Sequence, residues 1–144
     1  MIEEESQMTL EKAREIIEDA PYGVLATCDG GQPRCRPMAF IVTDDFKLWS
    51  STYLSSGKVR ELEANPRVEV CFVGRDKIHL RVEGICDLSG GPEKKERLLR
   101  LNPKVGRHFS GGDDEKYVHL EIVPTLVRWT PPGFGEYTVE KIED

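Results

Sequence analysis

No apolar run in this 144-residue sequence approaches the roughly 20 residues that a membrane-spanning helix requires. The acidic opening, Met1 to Ser6, lacks the basic-then-apolar order of a secretory leader, so a cytoplasmic protein with no membrane partner is expected. A concentrated basic surface is missing too. Twenty Lys and Arg stand against 26 Asp and Glu, a formal net charge of −6, which argues against a nucleic-acid partner. Cysteine is sparse. Cys28, Cys35, Cys71 and Cys86 form no CxxC pair, so zinc knuckles and thioredoxin-type motifs are excluded, and their ordinary reading is as small apolar strand residues. Cys28 and Cys35 flank one turn, which leaves a redox-sensitive pair as a second reading. The three histidines, His79, His108 and His119, lack metal-ligand spacing, and no metal is expected. Neither GxxxxGK[ST] nor GxGxxG occurs, which removes the phosphate loop of nucleoside triphosphatases and the Rossmann dinucleotide site.

What is present is a series of short alternating segments. Residues 9–19 read as an amphipathic helix with Thr9 as N-cap, Leu10, Ala13, Ile16 and Ile17 on one face, and Pro21 as its stop. Two strands, Tyr22 to Cys28 and Arg34 to Val42, flank Asp29-Gly30-Gly31-Gln32, a strong hairpin signal. Further strands are predicted from Phe46 to Trp49, around Val68 to Phe72, and from Ile78 to Leu88. Tyr117 to Val123 and Thr125 to Thr130 follow, with Pro124 as a bend or edge. Helices are expected over Lys58 to Ala64 and Glu93 to Leu101, with a further turn in Lys104 to Phe109. Together these predict one mainly β domain over residues 1–144, with tails at 1–8 and 131–144. Its architecture is an antiparallel, Greek-key-like barrel of six or seven strands carrying two or three helices. So small a barrel fills its own interior, and a ligand belongs on its outer wall or against a second subunit.

The most informative stretch is Ser50-Ser51-Thr52-Tyr53-Leu54-Ser55-Ser56-Gly57-Lys58. It joins a strand to a helix with a run of hydroxyls ending in Gly-Lys. Free N–H groups, hydroxyls and a cation at a helix start suit a phosphate. Arg36, on the alternating segment upstream, would reach the same anion if its strand lies beside the one ending at Trp49. The plainer alternative is an N-cap followed by a surface Gly-Lys pair.

The ordered set Arg36-Pro37-Met38, Leu48-Trp49-Ser50-Ser51-Thr52, Ser56-Gly57-Lys58, Leu62 and Asn65-Pro66-Arg67-Val68 resembles the flavin-binding split β-barrels related to pyridoxamine 5′-phosphate oxidase. The intervals from Arg36 to Thr52 and from Thr52 to Lys58 match that family's pattern, and Val82-Glu83-Gly84 fits its strand ending in glycine. The resemblance covers residues 9 to 130 or so. It implies a homodimer with two FMN molecules in clefts between subunits. The FMN phosphate would be held at Arg36, Ser56 and Lys58, with Gly57 also in the cofactor site, and the ring lined near Pro37, Met38, Ser51 and Thr52. It also implies a flavin contact at His79 and, loosely, an aromatic near the partner's flavin at Trp129, where exposed-strand and core roles are the alternatives.

Two departures limit the resemblance. Ile41 stands where the vitamin B6 oxidases carry a lysine, with Arg34 or Arg60 as substitutes, and residues 129–144 show none of their Arg-containing pyridoxal phosphate segment. The expected function is therefore a flavin-dependent oxidoreductase with a different small-molecule substrate, and no catalytic side chain is nominated. The alternatives are an F420-dependent reductase on the same fold, or a non-enzymatic flavin-storage, redox-sensing or haem-binding protein, for which His79 or His108 would be the haem candidate.

Overall fold

A computed structural model describes residues 3–130 and 138–142 of the chain. The first helix, α1 (Glu3–Asp19), begins six residues before the expected Thr9 cap and buries Ala13, Ile16 and Ile17. Next come β1 (Gly23–Asp29) and β2 (Gln32–Met38), joined by the predicted hairpin. Gly30 and Gly31 take φ of +56° and +91°, the left-handed region that a two-residue hairpin turn demands and that glycine enters without steric cost. The expected Arg34–Val42 strand breaks after Met38 and resumes as the short β3 (Ile41–Val42).

The chain continues through β4 (Leu48–Tyr53), α2 (Gly57–Ala64), β5 (Arg67–Val73) and β6 (His79–Gly90). After α3 (Pro92–Leu101) and a 3-10 helix (Pro103–Arg107), β7 (Tyr117–Thr130) and β8 (Thr138–Lys141) complete it. Two expectations are corrected. Pro124 does not divide its segment, because β7 runs unbroken past it, with a register irregularity where Gly84 pairs Pro124. The 131–144 segment is not all tail, since β8 pairs antiparallel with β7; residues 131–137 lie outside the described set.

The strands form one antiparallel sheet in the order β2-β1-β5-β6-β7-β4-β3, with β8 on β7. Its two edges approach each other where β2 passes into β3, and Ser50 on β4 donates to the Ala39 carbonyl in that link at 2.6 Å. The result is the expected split barrel. Its interior is filled by Leu25, Leu48, Val70, Phe72, Leu80, Val82, Leu120, Ile122 and Val127, with α1 closing one end. A second apolar cluster lies on the outer wall, where Leu98 of α3, Val105 and Phe109 cover Trp49 and Tyr117. Among the described residues no helix is long and apolar enough to cross a membrane.

Candidate functional site

Strand β4 delivers its last hydroxyls directly to the start of α2. Ser56 is the N-cap, with extended backbone (φ −66°, ψ 138°), and its hydroxyl accepts from the Lys58 N–H. The Lys58 ammonium donates to Thr52 Oγ1 at 2.8 Å and to Ser56 Oγ at 2.9 Å. Both partners are neutral hydroxyls; among the described residues no carboxylate lies within ion-pair distance of this half-buried cation. Burial first, and then the Arg36 guanidinium, pull the Lys58 pKa below its ordinary value, while the Glu61 carboxylate opposes them. A half-buried cation whose direct partners are neutral hydroxyls can receive an external anion.

Arg36 arrives from β2 across the paired Leu25 of β1. Its Nη1 donates to Thr27 Oγ1 at 2.8 Å and to the Leu25 carbonyl at 3.3 Å, and its Nη2 to Glu61 Oε1 at 2.9 Å. Three of the five guanidinium N–H bonds are thus used within the protein, leaving Nε–H and one Nη2–H without a hydrogen-bond partner among the described residues. Thr27 also donates to Glu61 Oε1 at 2.8 Å. The Thr27 hydroxyl, seconded by Arg36, holds the Glu61 carboxyl below the usual carboxylate range against the opposing effect of burial. The two cations predicted from sequence therefore converge at one strand-to-helix corner.

Beside the corner opens a cleft of about 290 Å³. One wall comes from Met38 of β2, Ala39 in the link after it, Ser51 and Thr52 of β4 and Lys58 at the start of α2; the other comes from Leu98, Asn102, Lys104, Val105, His108 and Phe109. His108 Nδ1 shares a 2.9 Å hydrogen bond with the Tyr53 hydroxyl at its mouth. The cleft sits at the lower end of the roughly 300–1,000 Å³ usual for small-molecule sites. Donors at the corner and an apolar, hydroxyl-edged slot beside it fit a phosphorylated planar cofactor. Among the described residues no group of three or more His, Cys, Asp or Glu is placed to hold a metal ion.

Of the residues singled out from sequence, Arg36, Ser56, Gly57 and Lys58 meet at the corner, and Met38, Ser51 and Thr52 line the adjoining cleft. Pro37 shares β2 with Arg36 and Met38 but pairs opposite Val24 and is exposed. His79 and Trp129 lie at the far end of β7 from Val118, the partner of Thr52; His79 pairs Thr130, and Trp129 packs against the barrel core. Within one chain they take no part in the corner. Arg34 is engaged by Asp29 at 3.0 Å at the hairpin tip. Thr27 and Glu61 escaped the sequence reading, although Thr27 breaks the apolar inward phase of β1 and so carried a weak signal. The helical wall escaped it too.

The chain matches the family model of pyridoxamine 5′-phosphate oxidase over residues 9–129. It is similar to general stress protein 26 of Bacillus subtilis, with 29% identity over 127 residues, covering 85% of this chain and 89% of the relative. The crystal structure of general stress protein 26 from Bacillus anthracis superposes with a TM-score of 0.75 at 27% identity, covering 92% of this chain and 97% of that one. A heme binding protein from Mycobacterium smegmatis shares the fold at 18% identity, with a TM-score of 0.75, covering 91% of this chain and 57% of its own.

Proposed function

This chain belongs to the pyridoxamine 5′-phosphate oxidase family, and from that premise we propose that it binds FMN and acts as a flavin-dependent oxidoreductase on a small molecule. One observation carries the reading: Lys58 and Arg36, far apart in sequence, bring unsatisfied donor capacity to the N-cap of α2. A phosphate monoester with close to two negative charges matches that pair through charge-assisted hydrogen bonds, and the Ser56 and Thr52 hydroxyls complete its shell. The slot between Met38 and Ser51 on one side and the helical wall on the other would take the ring. FMN, when bound, supplies the electron-transfer chemistry; the protein's part is to bind, orient and shield it.

The small volume of the cleft is in keeping with a homodimer in which a second subunit completes it. Such an arrangement would give His79 and Trp129 their family role on the partner's flavin, because each is remote from the corner in its own chain.

The visible spectrum of the purified protein, followed by titration with FMN and riboflavin, tests this reading. Flavin absorption and FMN binding tighter than riboflavin are expected. A Soret band would favour haem, F420 absorption the deazaflavin alternative, and a colourless protein that rejects FMN would end the proposal.

A further inference from the structure

We propose that Glu61 is a positioning residue of this anion site, holding the Arg36 guanidinium beside the first turn of α2 and supplying the negative charge that lets two cations share one corner. The inference rests on the phosphate-site reading above and concerns a residue outside its expected ligand set.

Glu61 occupies a place where a carboxylate needs a reason. Its side chain is only 7% exposed, on the buried face of α2 with Val59 and Leu62. A single oxygen, Oε1, accepts from both Thr27 and Arg36, at 2.8 and 2.9 Å, while Thr27 itself accepts from Arg36 at 2.8 Å. The three side chains form a closed ring, which fixes the guanidinium plane against β1 and leaves its remaining N–H groups for a ligand. Lys58 stands three residues before Glu61 on the same helix, so the two side chains share a face.

Arg36 and Lys58 repel each other in a partly desolvated setting. Without a compensating charge the stronger acid of the two, the lysine ammonium, yields its proton first, and one of two cations is lost to the ligand. The charged groups acting on Lys58 are Arg36 from β2 and Glu61 from its own helix, while Lys104 and His108 line the same cleft from the opposite wall; Asp29, which also acts on Glu61, is already engaged by Arg34. Glu61 is therefore the group that keeps the lysine charged next to the arginine. It does so while the Arg36 ion pair and the Thr27 hydroxyl keep its own carboxyl ionised.

The test reads Lys58 directly and then the ligand. The side-chain NMR titration of Lys58, without ligand, is compared in wild type, Glu61→Gln and Glu61→Met, two neutral variants that differ in hydrogen bonding, and in Glu61→Asp, which retains the charge. FMN affinity relative to riboflavin is then followed from about pH 7 to about pH 10. Riboflavin carries the same ring without the phosphate. Expected results are a Lys58 titration moved to lower pH in both neutral variants, near-wild-type behaviour in Glu61→Asp, and an FMN advantage that fades at correspondingly lower pH in the neutral pair. A Lys58 titration unmoved in the neutral variants overturns the role of Glu61 and leaves FMN binding untouched. Wild-type protein that binds FMN no better than riboflavin removes the phosphate site itself, and the inference with it.

Discussion

The His119 imidazole stands edge-on to the Trp49 indole, ring centroids 4.6 Å apart at 84°, with no solvent exposure and with neither ring nitrogen hydrogen-bonded among the described residues. Its backbone lies between Ser51 of β4 and Gly90 of β6. A β-carbon on Gly90 would come within 2.6 Å of His119 Cδ2, so the ring fills space that a side chain there would claim. Trp49, in turn, lines the cleft. A buried, unpaired histidine thus backs the cleft wall, and burial drives its pKa down from 6.5 to about 4.

The consequence for stability has a definite sign. Between pH 6.5 and about 4 the unfolded chain protonates His119 while the folded one does not, so the unfolded state binds more protons and stability falls as the solution is acidified. The slope from one such group is at most about 1.4 kcal/mol per pH unit. The carboxyls held low in the fold add losses of their own, Glu61 as the pH falls through its ordinary value of 4.5 and Asp45, Asp87 and Asp114 through 3.8. Denaturant midpoints of wild type should therefore decline across this window, and His119→Phe, which keeps an aromatic edge on Trp49, should flatten the decline. Parallel curves for the two proteins would show that the histidine is not the group responsible.

At the corner, Lys58→Ala and Arg36→Ala should each weaken FMN binding by about 1–3 kcal/mol, the range for a lost charge-assisted hydrogen bond, as measured by flavin fluorescence quenching. Their effects on the free protein should differ. Lys58 has hydroxyl partners only and its burial is unfavourable to the charge, so its loss should leave the thermal midpoint unchanged or raised. Arg36 is the ion-pair partner of a buried carboxylate, so its removal should lower the midpoint. Unchanged FMN affinity in both variants would remove the assigned site.

These contrasts indicate which parts of the site were legible in the sequence. The Asp29–Gln32 turn was readable because Gly-Gly is a local instruction, and the Ser56–Lys58 corner because cap, glycine and cation are adjacent. Arg36 was expected from its alternating segment and from family spacing on the condition that its strand lay beside β4; the sheet instead pairs β2 with β1, and Arg36 reaches α2 through its bond to Glu61. Thr27 and Glu61 are 34 residues apart and meet only once β1 fixes its inward phase and α2 lies across it, a condition that no local pattern encodes. The helical wall was hidden differently: α3 reads as a charged surface helix, and only Leu98 on it is buried. Pro124 misled for a physical reason, because the irregular register beside Gly84 accommodates a residue with no N–H to donate.

That irregularity makes Gly84 a sensitive position. A β-carbon there would lie 2.7 Å from both the Ile122 Cγ2 and the Val123 carbonyl oxygen, and the oxygen belongs to backbone that cannot rotate aside. Gly84→Ala should destabilise the fold by about 1–3 kcal/mol through overpacking, read as a lowered denaturant midpoint with an unchanged slope. A variant as stable as wild type would mean that β6 and β7 can separate locally at no cost.

The helical wall offers the last test, because its attachment to the barrel rests on few groups. Leu98 is 1% exposed and is the buried anchor of α3; the Tyr117 hydroxyl donates to the Lys95 carbonyl at 3.0 Å, and the Tyr117 ring stacks on Phe109 at 4.6 Å. Leu98→Ala should cost about 2–5 kcal/mol if the cavity persists, and less if α3 settles inward. Because Leu98, Val105 and Phe109 face the slot and the phosphate corner does not depend on them, the loss of affinity should be similar for FMN and riboflavin. Lys58→Ala should act on FMN alone. A Leu98→Ala variant that discriminates against FMN but not riboflavin would place the helical wall at the phosphate and reverse the assignment of the two halves of the cleft.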